Sequence, residues 1–327
     1  MRIARLSHYA FSSCAAVALL AGCGGSQRPI GAGGAIPQAE PAHAIAETSS
    51  GALIYSANDV AGYVTTYTYP GGSRVGGTSV PGAINECVDS TGDVFVAATT
   101  GTETDFTGQI YELAKGSLVA TLPDPHWWIG SCAVNPKTGD LAVSGDASPR
   151  NKPGVTFFRH GDEKRTVLYT SPYSAGSCAY DPAGNLYVGE SNDSGGGLLR
   201  LAAGGKKFEM MKIDTVLTNL GTVQWADNHL IVSSHHNDPT ELYLYQLSVK
   251  GNKATTVRTT KLHTYKYRDR FLGQVWVQGN TVLGYVASSP YKSGHIGLWP
   301  YPGGRLLHDK IDVDAYLVSG LAVAPGE

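Results

Sequence analysis

The 327-residue chain has little charge and no excess of either sign. Asp, Glu, Lys and Arg make up 16% of it, with 25 basic residues against 27 acidic ones. No basic block stands out, which argues against a nucleic-acid partner, since phosphates are met by clustered Lys and Arg. The chain also lacks Gly-x-Ser-x-Gly, His-Glu-x-x-His and a phosphate-binding glycine loop, so the common hydrolase, zinc-peptidase and nucleotide chemistries have no local signature. The glycine strings "GGSRVGG" and "SGGGLL" read as turns. The apolar stretch Tyr9–Leu20 is too short to cross a bilayer as a stable helix. What the chain does have is 41 Gly and 18 Tyr. Low charge with this much Gly and Tyr suits turn-rich β structure better than helices.

The first fifty residues stand apart. Arg2 and Arg5 precede the apolar stretch, which ends in Leu20-Ala21-Gly22-Cys23. This pattern resembles the bacterial lipobox, where small residues admit a peptidase that cuts before a Cys whose sulfur takes up diacylglycerol. The resemblance implies a signal peptide over residues 1–22 and lipidation of Cys23, which would tie the protein to a membrane of the bacterial cell envelope. Gly24 stands where inner-membrane retention favours Asp, which points to the outer membrane or the cell surface. Residues 23–50 are rich in Gly, Pro, Ala and Ser without apolar periodicity, and read as a flexible, lipid-anchored linker. Residues 51–327 are left as the folding unit.

That unit is repetitive. "CVDSTGDVFVA" (Cys87–Ala97), "AVNPKTGDLAVSGD" (Ala133–Asp146) and "AYDPAGNLYVGESN" (Ala179–Asn192) are near-copies. Asp89, Asn135, Asp181, Ala226, Gln278 and Ala324 mark equivalent positions at intervals of 46, 46, 45, 52 and 46 residues. Each unit reads as a short strand after Gly, a tight turn, a strongly β-prone strand, a third strand and a more polar fourth one. A period of this size signals a propeller of four-stranded antiparallel blades. The chain enters at "ALIYSAN", which matches a second strand, and the missing first strand is "SGLAVAP", Ser319–Pro325. An all-β, six-bladed β-propeller follows, its last strand completing its first blade and covering that blade's inner edge. Cys87, Cys132 and Cys178 are an odd number, so at least one is unpaired; they read as small buried side chains rather than a disulfide.

The pattern "DPAGNLYV" (Asp181–Val188) resembles the NHL-repeat and gluconolactonase-like superfamily of six-bladed propellers, which includes enzymes and pure binding scaffolds. The lactonases hold a divalent ion with a Glu and Asn or Asp residues near the channel axis. The resemblance implies Glu86 for that role, although its counterparts Cys132, Cys178 and Val223 are poor ligands for a hard cation.

Propeller geometry places the second-to-third-strand loops and the blade-to-blade loops at one mouth of the channel. Asn58, Asp59, Glu103, Asp105, Asp146, Glu190, Asn192, Asp193, His235, His236 and Asp238 should share it with Trp127, Trp128, Tyr173, Arg268 and Arg270. The run Glu190–Asp193 is rich enough in oxygen for Ca²⁺ or sugar hydroxyls, and equally for ordinary turns. His235 and His236 suit a transition metal or a general base, or a solvated loop. Adjacent Trp127 and Trp128 are costly to expose unless they pack or bind a ligand. The leading expectation is a lipid-anchored binding or interaction scaffold for protein or carbohydrate at the envelope. The alternative is a metal-assisted hydrolase or lactonase using Glu86, Glu190, Asn192, His235 and Asp238.

Overall fold

The computed structural model describes residues 51–101, 106–124, 126–147, 152–159, 165–170, 174–192, 195–235, 240–264, 270–287, 294–305, 310–313 and 318–326. The expected leader, Cys23 and the linker lie outside the described residues.

Each repeat folds into a small sheet whose strands follow one another antiparallel. The first blade holds β1 (Leu53–Asn58), β2 (Tyr63–Thr68) and β3 (Arg74–Ser79). The second holds β4 (Ala83–Val88), β5 (Val94–Thr100), β6 (Thr107–Ala114) and β7 (Ser117–Asp124). The third holds β8 (His126–Val134), β9 (Leu141–Ala147), β10 (Lys152–Phe158) and β11 (Arg165–Tyr169). The fourth consists of β12 (Ser174–Tyr180), β13 (Leu186–Asn192), β14 (Gly195–Leu201) and β15 (Glu209–Met210). A two-residue strand, β16 (Lys212–Ile213), joins the fifth blade of β17 (Leu220–Ala226), β18 (His229–Ser234), β19 (Leu242–Lys250) and β20 (Lys253–Leu262). The sixth comprises β21 (Arg270–Gln278), β22 (Thr281–Ala287), β23 (His295–Pro300) and β24 (Lys310–Asp312). The last strand, β25 (Gly320–Ala324), returns to the first blade and pairs with β1, Leu53 opposite Ala324 and Ser56 opposite Leu321. The six-bladed propeller and its closure agree with the repeat.

The fifth sheet departs from four strands. "FEMMKI" reads as one fourth strand, but it is shared between two blades: Glu209–Met210 pairs with β14, and Lys212–Ile213 pairs in parallel with β20. Met211 between them is buried among Tyr187, Leu198 and Leu230, and this inward anchor breaks the strand.

Why these segments are strands follows from what they face. Blades are covered on both sides by neighbours, so second strands are buried throughout, as in Val94–Ala98 and Thr281–Ala287. Their unbroken apolar runs fit two-sided burial. Fourth strands lie on the outside, and β3 is exposed almost along its length. The buried side chains gather in six clusters, one in each seam between adjacent blades. Tight turns join first to second strands: Asp89 accepts from the amides of Thr91 and Asp93, Asn135 from Lys137, and Asp181 from Asn185.

Candidate functional site

The innermost strands β4, β8, β12, β17, β21 and β25 surround the axis. Four residues before each repeat marker stand Asn85, Ser131, Ser177, Thr222, Gln274 and Gly320. Their side chains tie one blade to the next. Ser177 Oγ accepts the amide of Val223 at 2.8 Å, Thr222 Oγ1 that of Val275 at 3.0 Å, and Gln274 Oε1 that of Leu321 at 3.0 Å. Ser131 Oγ donates to Asn85 Oδ1 at 3.3 Å. Gly320 has no side chain to offer. Gln274 spans the gap, donating from Nε2 to the carbonyl of Glu86 at 3.1 Å.

In four blades a glycine (Gly130, Gly176, Gly221 or Gly273) precedes the clasp and marks a β-bulge, with register shifts at Ile129/Ser131, Ala175/Cys178, Leu220/Val223 and Leu272/Val275. A Cβ on Gly273 would lie 2.5 Å from the carbonyl oxygen of Val318 in the neighbouring blade, and its φ of +74° suits only glycine.

The position after each clasp holds Glu86, Cys132, Cys178, Val223, Val275 and Leu321. It points back toward the preceding blade. Cys132 forms a disulfide with Cys87 of the second blade, which corrects the expectation of three free cysteines: neighbouring innermost strands bring the two Cα atoms to 5.6 Å. Cys178 is buried and free, and burial pushes its thiol up to about 11.

Glu86 fills the same position in the first seam, 0% exposed, beside Tyr55 and Ala57 of β1. Neither carboxyl oxygen has a hydrogen-bond partner. Burial lifts its pKa from the ordinary 4.5 to about 8, with a smaller opposing effect from the Ala57 backbone. Glu86 is therefore a protonated acid between two blades at neutral pH.

At the mouth, several expected loop residues belong to strands. Trp127 and Trp128 open β8, because its ladder with β9 extends as far as Ala147. Glu190 and Asn192 end β13, held by the ladder to Gly195–Gly197. Arg270 starts β21. Asn58 is buried and accepts from the amide of Ala61. Asp59, half-buried, has its pKa raised by burial. Glu190 is 1% exposed and stands opposite Ala175. His235 is half-buried just past β18. Its Nδ1 lies 3.2 Å from the carbonyl oxygen of Glu241, and burial holds its pKa below the ordinary value. A neutral ring donating from Nδ1 leaves Nε2 as an acceptor.

Glu103, Asp105, Tyr173, Asp193, His236, Asp238 and Arg268 lie outside the described residues, as do the side chains of Trp127 and Asn192. Glu86 sits in the first seam and His235 in the fifth blade. Among the described residues, no group of three or more His, Cys, Asp or Glu is placed to hold a metal ion.

Trp128 is 44% exposed, and its indole meets Phe106 of the second blade edge-on at 6.3 Å between ring centroids. Opposite Trp128 in the ladder is Asp146, whose Oδ2 accepts from Ser174 Oγ of the fourth blade at 3.0 Å. Sequence reading placed Asp146 on this face but missed Phe106 and the Asp146–Ser174 bridge, for which no short motif exists. The other polar residue it missed is Gln274, although the period exposes it once the clasp position is known.

No protein-family model and no curated protein matches the sequence. Solved structures do resemble it. A protein of unknown function from Bacteroides caccae aligns at 11% identity and a TM-score of 0.58, over 84% of this chain and 99% of its own. TolB from Acinetobacter baumannii aligns at 11% identity and 0.57, over 84% of this chain and 67% of its own. A functionally unknown protein from Desulfotomaculum acetoxidans aligns at 11% identity and 0.54, over 85% and 100%. The likeness is one of fold. At such identities it carries no activity.

Proposed function

We propose that the chain is a lipid-anchored propeller of the bacterial cell envelope, at the outer membrane or cell surface, that serves as a binding scaffold for a protein or carbohydrate. The lipobox-like Leu20–Cys23 and the linker that follows support the anchor. The NHL-like pattern at Asp181–Val188 resembles a superfamily that includes pure binding scaffolds as well as enzymes. The observation that carries the scaffold reading is the use made of the axial polar residues. Ser177, Thr222 and Gln274 are engaged in holding blades together, while an indole stands open at the rim. A rigid ring with its contact groups on the mouth is built to hold a partner rather than to move through a reaction cycle.

The anchor is tested by metabolic labelling with an alkyne fatty acid. Wild type should be labelled and Cys23→Ser should not; equal labelling defeats the anchor. The scaffold role is tested by cross-linking in intact cells. Trp128→Ala should weaken a specific envelope cross-link at unchanged protein level. The hydrolase reading rests on Glu86 and His235. A stoichiometric divalent ion, lost from Glu86→Gln or His235→Ala, together with lactone turnover, would displace the scaffold.

A further inference from the structure

The rim that spans the second, third and fourth blades brings together groups of complementary kinds. Trp128 offers an open indole face, and Phe106 packs edge-on against it and fixes its tilt. Asp146 is its cross-strand partner, in a ladder that shifts register on either side of Trp128 and Ile129. One carboxylate oxygen of Asp146 receives the Ser174 hydroxyl across the seam; the other, Oδ1, has no hydrogen-bond partner. A carboxylate accepts at about four lone-pair sites, so most of the capacity of Asp146 is unused. Oδ1 is shielded, so a ligand at the rim meets Oδ2 and the exposed Ser174 hydroxyl that bridges to it.

We propose that this rim is a carbohydrate site, with Trp128 and Phe106 as the stacking surface and Asp146 with Ser174 as the partners of sugar hydroxyls. The inference rests on the scaffold reading and narrows its ligand. A pyranose presents an apolar face of C–H groups to an aromatic ring and hydroxyl donors at its edge, which is the pairing found here. Hydroxyl side chains continue along the rim: Thr100 donates to the carbonyl of Thr107 next to Phe106, and Ser174 is exposed. Among the described residues, the carboxylate that meets a hydroxyl on this rim is Asp146, and a carboxylate paired with a hydroxyl suits a sugar's hydroxyl edge.

The test uses the full-length lipoprotein in detergent micelles. Neutral oligosaccharides (chitohexaose, cellohexaose and maltohexaose) are titrated against tryptophan fluorescence, with an array covering other neutral glycans. Wild type should bind at least one. Trp128→Ala should weaken that binding tenfold or more and Asp146→Asn about fivefold, both at unchanged melting temperature. Trp128→Phe should retain most of it, and Val257→Ser, exposed on the outer strand β20 of the fifth blade, all of it. Glycan binding that survives both Trp128→Ala and Asp146→Asn overturns this site and leaves the scaffold reading standing. No glycan binding alongside a Trp128-dependent protein cross-link also overturns the site while upholding the scaffold. Neither glycan binding nor a cross-link overturns both.

Discussion

Glu86 is an acid buried where neighbouring seams hold sulfur or hydrocarbon. Its raised pKa means that the folded protein keeps a proton that the unfolded chain releases between about pH 4.5 and 8. Its contribution is therefore fully present below that range and is lost as pH rises through it. The melting temperature of wild type minus that of Glu86→Gln should fall from pH 5 to about pH 8 and level off above it. A constant difference would mean that the carboxyl is already satisfied. Gln274 is tested by truncation. Gln274→Ala strips the Leu321 amide and the Glu86 carbonyl of partners and should cost about 1–3 kcal/mol in chemical denaturation. Glu86 was visible in the sequence as the acidic member of an aligned column, but its direction was not. A strand position shows which residues are equivalent, whereas a bulge decides which side each one takes.

At the scale of elements, the seams do the work that edges do in open sheets. Between the second and third blades the tie is covalent. The Cys87–Cys132 bond closes a loop 45 residues long, for which chain-entropy arguments give about 4 kcal/mol. Cys132→Ser should lower the denaturation free energy by roughly that amount. Under non-reducing denaturation, Cys178 should be the single thiol of residues 51–327 to react with alkylating agents. The strand order and turns were legible because Asp, Asn and Gly recur at fixed offsets from apolar runs. The cysteine pairing was not, since Cys87 and Cys132 occupy neighbouring rather than identical repeat positions and only the stagger between innermost strands brings them together. The split of "FEMMKI" was likewise hidden, because the burial of Met211 depends on the next blade.

For the whole molecule, six blades and the closing strand could be read from the period alone, while the site could not. A rim contact such as Trp128 with Phe106 joins a strand start in one repeat to a residue just before a strand in another, and no shared pattern marks the pair. Closure itself is testable. Gly51 and Gly326 lie side by side: a Cβ on Gly326 would fall 2.5 Å from the carbonyl carbon of Gly51. A permutant that joins 326 to 51 and opens at the Lys115–Gly116 turn should melt within a few degrees of wild type. Deleting residues 320–327 should abolish the cooperative transition, because β1 then loses its inner partner.

The same pairing governs the order of events when the protein is made. A chain that emerges from its N-terminus delivers β1 first and the strand that covers it last. Until Leu321–Ala324 arrive, one flank of β1 is a bare row of amides and carbonyls. Blades two to six can assemble as they appear, but the ring has to wait for its final residues, and the opening sheet needs guarding for the whole of that interval.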